Sequence, residues 1–117
     1  SHCGWADIFP IVDRRVRSEV CPMFFQLGTG DTLGTCMAEA GLTNIQVDRL
    51  STVLEYASAD EAIGAAFVGG PVAMAYSRFD GPTKAEAHAE YLASIAPFQR
   101  GAGFAIPGEF VVARGAP

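Results

Sequence analysis

An α+β fold, mostly helical with two strands, is predicted by three observations. Two S/T-x-x-E capping boxes, Ser58–Glu61 and Thr83–Glu86, each stand at the head of a helical pattern. Two stretches carry strand patterns: residues 44–50 (NIQVDRL) alternate, and residues 109–113 (EFVVA) hold Phe110, Val111 and Val112 in succession. Finally, no internal repeat or long linker divides the 117 residues. A single domain over 1–117 is expected, and a chain of that size buries roughly 65% of its unfolded surface.

In chain order, Ser1-His2 reads as a processed start or a tag remnant. Residues 8–20 predict a helix opened by Pro10, with Val12, Val16 and Val20 along one stripe. Cys21-Pro22 breaks it. Residues 23–27 (MFFQL) are a short apolar run, a helical turn or a brief strand. Asp31 is placed to N-cap a helix over 32–40, with Leu33, Cys36, Met37 and Ala40 inward and Gly41 as the stop. The strand at 44–50 sets Ile45 and Val47 against Gln46 and Asp48 and extends toward residue 54. The first capping box opens a helix with Ala59, Ile63, Ala66 and Phe67 on one face, closed by Gly69-Gly70. Pro71 starts another, with Val72, Ala75, Tyr76 and Phe79 at helical spacing. After the turn Asp80-Gly81-Pro82, the second box opens a helix that aligns His88, Tyr91, Leu92 and Ile95 and stops before Pro97. Pro107-Gly108 is expected to interrupt the last segment ahead of the strand at 109–113.

Composition narrows the function classes. Half the residues are apolar, but nineteen are Ala and only 29 are Ile, Leu, Val or Phe, so the core should use small-residue helix contacts. Eight Lys+Arg against thirteen Asp+Glu leave no basic footprint for nucleic acid. No stretch of about 18 residues lacks charges and breakers, so no membrane span is expected. Cys3, Cys21 and Cys36 are odd in number and widely spaced, which predicts thiols and a cytoplasmic protein. Without a C-x-x-C or H-x-x-H pair they do not predict a metal site.

The loudest local pattern is Gly28-Thr-Gly30-Asp31 after an apolar run, with Asp48 further on. It superficially copies a nucleotide cradle, but Leu33 stands where a third glycine belongs, and Asp31 would fill an anion site itself. A turn followed by an N-cap accounts for it. Arg14, Arg15 and Arg17 cluster beside Asp13 and Glu19, and Asp13–Arg17 and Arg15–Glu19 are i, i+4 pairs, as on a solvated helix face. His88 on an apolar stripe reads as a satisfied, partly buried histidine, with no nucleophile or orienting acid to pair with it. No catalytic residue is assigned.

Four stretches, 24–50, 56–80, 88–99 and 106–115, together resemble the C-terminal part of class I S-adenosylmethionine-dependent methyltransferases of the small-molecule type. The marks are Glu39-Ala-Gly-Leu42 closing a helix before a strand, the helical insert with Gly69-Gly70-Pro71, and the final strand ending in residues 111–114. The resemblance implies a two-strand antiparallel hairpin matching the last two strands of that family's sheet, residues 44–54 and 103–114. It also implies that the S-adenosylmethionine elements, a glycine-rich loop after the first strand and an acid closing the second, belong to an N-terminal half that these residues do not supply. No cofactor-binding residue is therefore assigned, and the chain alone is expected to be inactive. The resemblance further implies that Trp5, Phe9, Met23, Phe24, Phe25 and Leu27 wall an apolar or aromatic acceptor.

In the family fold the seventh strand lies between the fifth and the sixth. An open strand edge beside Phe110, Val111 and Val112 is expected to be an interface, in a homodimer or with a chain supplying the missing strands. The alternative expectation is a standalone, non-enzymatic α+β protein that dimerises or binds a small molecule.

Overall fold

Two antiparallel strands of 14 residues, β1 (Thr43–Tyr56) and β3 (Gly103–Ala116), pair along almost their whole length. The computed structural model describes residues 3–16 and 26–117. Within them the chain is α+β. A two-residue strand, β2 (Gln99–Arg100), joins the beginning of β3, giving a three-stranded sheet in the order β1-β3-β2. The expected hairpin is thus an antiparallel ribbon with a third short strand. A helical layer, not a tight turn, connects its two long strands.

The register pairs Tyr56 with Phe104 at one end and Thr43 with Ala116 at the other, with an irregularity between Thr43 and Gln46. Strand β3 is longer than the pattern 109–113 suggests. Pro107 pairs opposite Val53 and Gly108 opposite Thr52 without ending the strand. Proline is tolerated in a strand with one unpartnered edge, because a missing N–H on that side costs no ladder bond.

Helix α1 (Ile8–Asp13) follows a 3-10 turn at Gly4–Asp7. It ends at Asp13, well short of residue 20, and Pro10 sits in its first turn instead of opening it. Ile8, Ile11 and Val12 are buried there. The expectations for Arg17, Glu19, Val20, Cys21 and residues 23–25 lie outside the described residues. Helix α2 (Thr32–Glu39) is capped by Asp31 without a side-chain hydrogen bond, and it buries none of its residues fully. Leu33 and Met37 are half-buried, whereas Cys36 and Ala40 are exposed, against expectation. Among the described residues the helix packs chiefly on the ribbon, against β1 and β3. Gly41 ends it in the left-handed region at φ 88°.

The first capping box forms one residue offset. Ser58 Oγ accepts from the Glu61 N–H (3.2 Å), and Glu61 accepts from the Ala57 N–H (2.7 Å) rather than from Ser58. It opens α3 (Ala59–Ile63), which widens into a π turn over Gly64–Val68. Helix α4 is a single turn, Ala73–Tyr76, shorter than the spacing from Val72 to Phe79 suggests. Helix α5 (Gly81–Ile95) does not use the Thr83–Glu86 box. Asp80 accepts from the Thr83 N–H at 2.8 Å, and Pro82 needs no partner in the first turn. A 3-10 turn, Ala96–Phe98, leads into β2.

The core lies between these helices and the Tyr56 end of the ribbon. Phe67, Tyr91, Ile95, Val72 and Ile106 are fully buried, with Ala62, Ala66, Ala75 and Ala87 where helices approach closely. Burying a side chain such as Phe67 stabilises by about 2–3 kcal/mol. Arg14 and Arg15 do not face solvent as a simple charged stripe. Both pair with Glu90 on α5, and Arg15 Nη1 also donates to the Ile11 carbonyl at 2.8 Å.

Candidate functional site

Successive residues of a strand point to opposite faces, so a groove that touches four consecutive ones runs along the strand's edge. A groove of about 890 Å³ touches Gly108, Glu109, Phe110 and Val111. Strand β1 occupies the other edge of β3, and β2 reaches only Gly103 and Phe104. Among the described residues the groove lies against the unpaired edge of β3 and also touches Arg49 and Leu54 of β1. Cys3 and Trp5 flank it, as do Leu27, Leu33 and the turn at residues 28–30.

Arg49 organises this wall. Its Nη1 meets Glu109 Oε1 at 2.5 Å, diagonally across the two strands. Its Nη2 donates to the Gly28 and Gly30 carbonyls at 3.0 and 2.6 Å. One guanidinium thus binds the glycine turn to both strands. The turn aims carbonyl oxygens at a cation, whereas a phosphate or nucleotide cradle needs N–H groups aimed at an anion. The Gly28–Asp31 pattern is accordingly a clamp on Arg49.

Of the acceptor-wall residues expected from the sequence, Trp5 and Leu27 line the groove, and Phe9 packs against the core. Met23, Phe24 and Phe25 lie outside the described residues. Phe110 and Val111 also line the groove; Phe110 and Val112 are 59% and 51% exposed, and Val111 is half-buried. Arg49, Glu109 and Gly108 were not singled out by sequence reasoning. The signal was present for one of them: Arg49 falls on the Ile45/Val47 face of the alternating strand, and a charge on an apolar face needs a partner.

A second cluster lies within the helical layer. The Tyr76 hydroxyl and His88 Nε2 are hydrogen-bonded, Phe67 meets His88 edge-on at 5.2 Å, and Lys84 Nζ sits 4.9 Å from the Tyr76 ring centre. Burial and the Lys84 charge push the His88 pKa down, against a smaller upward pull from Asp60. The imidazole is thereby held toward its neutral form. The buried Tyr91 hydroxyl has no hydrogen-bond partner among the described residues, and burial raises its pKa far above the ordinary phenol value.

Among the described residues no three His, Cys, Asp or Glu side chains gather into a metal-binding group, and Cys3 and Cys36 are thiols. Among the same residues no helix is long and apolar enough to cross a membrane. No protein-family model, no curated protein and no solved structure matches the chain.

Proposed function

We propose that the chain is the substrate-side C-terminal module of a class I S-adenosylmethionine-dependent methyltransferase of the small-molecule type, not catalytic by itself. The observation that carries the proposal is the β1–β3 ribbon, preceded by α2, interrupted by a helical layer and, among the described residues, left open along β3. That is the order in which the resembled family ends, and the open edge is where its further strands would pair. The donor would be gripped by residues outside these 117. This module would contribute an apolar wall, with Trp5 and Leu27, toward an aromatic or lipid-like acceptor. Cytoplasmic residence belongs to the same proposal.

Calorimetric titration of the chain with S-adenosylmethionine tests the division of labour. No heat of binding is expected, and micromolar affinity would overturn it. Reading the coding sequence upstream tests the parentage: an in-frame glycine-rich β-α-β unit is expected. Its absence would favour a second function, a standalone non-enzymatic protein that uses the same groove and edge for dimerisation or small-molecule binding. The groove itself is the observation that favours that alternative.

A further inference from the structure

We infer that the open edge of β3 docks the β3 edge of a second copy of this chain, antiparallel and in a register centred on Val111. The inference rests on the edge of this chain by itself; the further strands of the methyltransferase proposal, where supplied, would take the same edge in place of the second copy. Among the described residues only one side of β3 is paired from Ala105 to Ala116, and this long edge carries Phe110 and Val112 more than half exposed, beside Leu50 at 54% on the adjacent strand. Tyr56, Leu54, Phe104 and Ile106 begin this same ribbon face and are covered by the helical layer; Leu50, Phe110 and Val112 continue it beyond that cover. The charges on this edge are Glu109, held by Arg49, and Arg114, held by Gln46; the apolar run between them is a template for strand addition.

The sequence of the edge selects both the occupant and the register. Two copies related by a twofold axis normal to the sheet keep each residue on its own face, so opposed residues must share parity. Centred on Val111, the pairing opposes Phe110 to Val112 twice, an aromatic to a β-branched side chain, and opposes Glu109 to Ala113. Aromatic–β-branched pairs are among the favourable cross-strand combinations. Centred on Phe110, the pairing leaves Val112 opposite Gly108; centred on Val112, it sets Phe110 opposite Arg114. Centred on Glu109, it would oppose two carboxylates. In the favoured register Glu109 keeps its ion pair with Arg49 within its own copy, and Arg114, which falls opposite Gly108, keeps its hydrogen bonds to Gln46.

Directly opposed residues in an antiparallel pair lie within disulfide reach, which makes the register measurable. The test uses a chain with Cys3, Cys21 and Cys36 replaced by Ser, together with the unsubstituted chain in sedimentation. A dimer is expected at micromolar concentration. Mild oxidation should link Val111→Cys to itself, while Phe110→Cys links to Val112→Cys in a mixture and far less to itself. A monomer at tens of micromolar would overturn the interface. A dimer in which Phe110→Cys links to itself and Val111→Cys does not would overturn the register. Should the substituted chains fail to fold, sedimentation of the unsubstituted protein still decides the interface.

Discussion

The Tyr76 hydroxyl lies 2.8 Å from His88 Nε2, joining the single turn of α4 to the middle of α5. The contact forms within an aromatic group that also includes Phe67 and Phe79. Because burial and Lys84 depress the His88 pKa, the folded state favours the neutral imidazole, whose Nε2 can accept the phenolic proton.

The sign of the pH dependence follows. The unfolded chain binds a proton near pH 6.5 and the folded chain only at lower pH. The contribution of His88 is therefore complete above pH 6.5 and is lost as pH falls through the depressed value. Thermal midpoints measured from pH 8 to pH 5 should fall toward acid, and His88→Gln should flatten that part of the decline. An identical slope in the variant would remove His88 as its source.

Tyr91 separates the worth of its ring from the cost of its hydroxyl. Its ring meets Phe67 edge-on at 5.7 Å, while its oxygen has no hydrogen-bond partner among the described residues. Tyr91→Phe should leave stability unchanged or raise it by up to about 1 kcal/mol, since a buried, unpaired polar atom is removed. Tyr91→Ala should cost about 3–5 kcal/mol through the cavity it leaves. Denaturant unfolding measures both, and a large loss in Tyr91→Phe would point to a hydrogen bond in solution.

Arg49→Lys keeps the charge but not the fork that spans one carboxylate and two carbonyls. Arg49 is well exposed, and solvent screening limits the stability loss to about 0.5–1.5 kcal/mol. The larger effect should be local. Amide exchange over residues 28–32 is expected to accelerate at least severalfold, with the β1–β3 ladder unchanged. Equal acceleration in both regions would mean that Arg49 supports the sheet as a whole.

Gly103 begins β3 where the backbone of β1 passes closest. An added Cβ would overlap the Tyr56 carbonyl oxygen and come within 3.1 Å of the Ala57 backbone, so backbone would have to move. Gly103→Ala should cost about 1–3 kcal/mol or more. Gly81→Ala, where a Cβ would meet nothing within 4 Å, is the control and should be neutral or slightly stabilising. Equal thermal midpoints for the two variants would show that the strand start yields easily.

Local chemistry was legible where one residue decides. The alternation at 44–50 gave β1, Ser58 and Glu61 gave the head of α3, and Gly41 marked the end of α2. Elements whose limits depend on distant partners were not. Pro107-Gly108 looks like a break until β3 is known to have an open side. The inward face expected for Cys36 and Ala40 presumes a second layer that the described residues do not place over α2. The Thr83 box loses to Asp80 because Pro82 makes an earlier start inexpensive. The groove was hidden for a related reason: Arg49, Glu109 and the glycine turn lie far apart in sequence, and only pairing of the strands brings them together.

The antiparallel register also imposes an order of assembly. Tyr56 and Phe104 are the opposed pair of β1 and β3 joined by the shortest connecting chain, and every pair toward Thr43 and Ala116 closes a longer loop. Because loop closure is least costly at the helical end, the ribbon should nucleate there and zip outward, with Gln46 and Arg114 meeting among the last. Compact helices formed early between the strands would shorten that first search, so damage to α3 or α5 should slow pairing even at the Thr43 end, beyond the core these helices share with the strands.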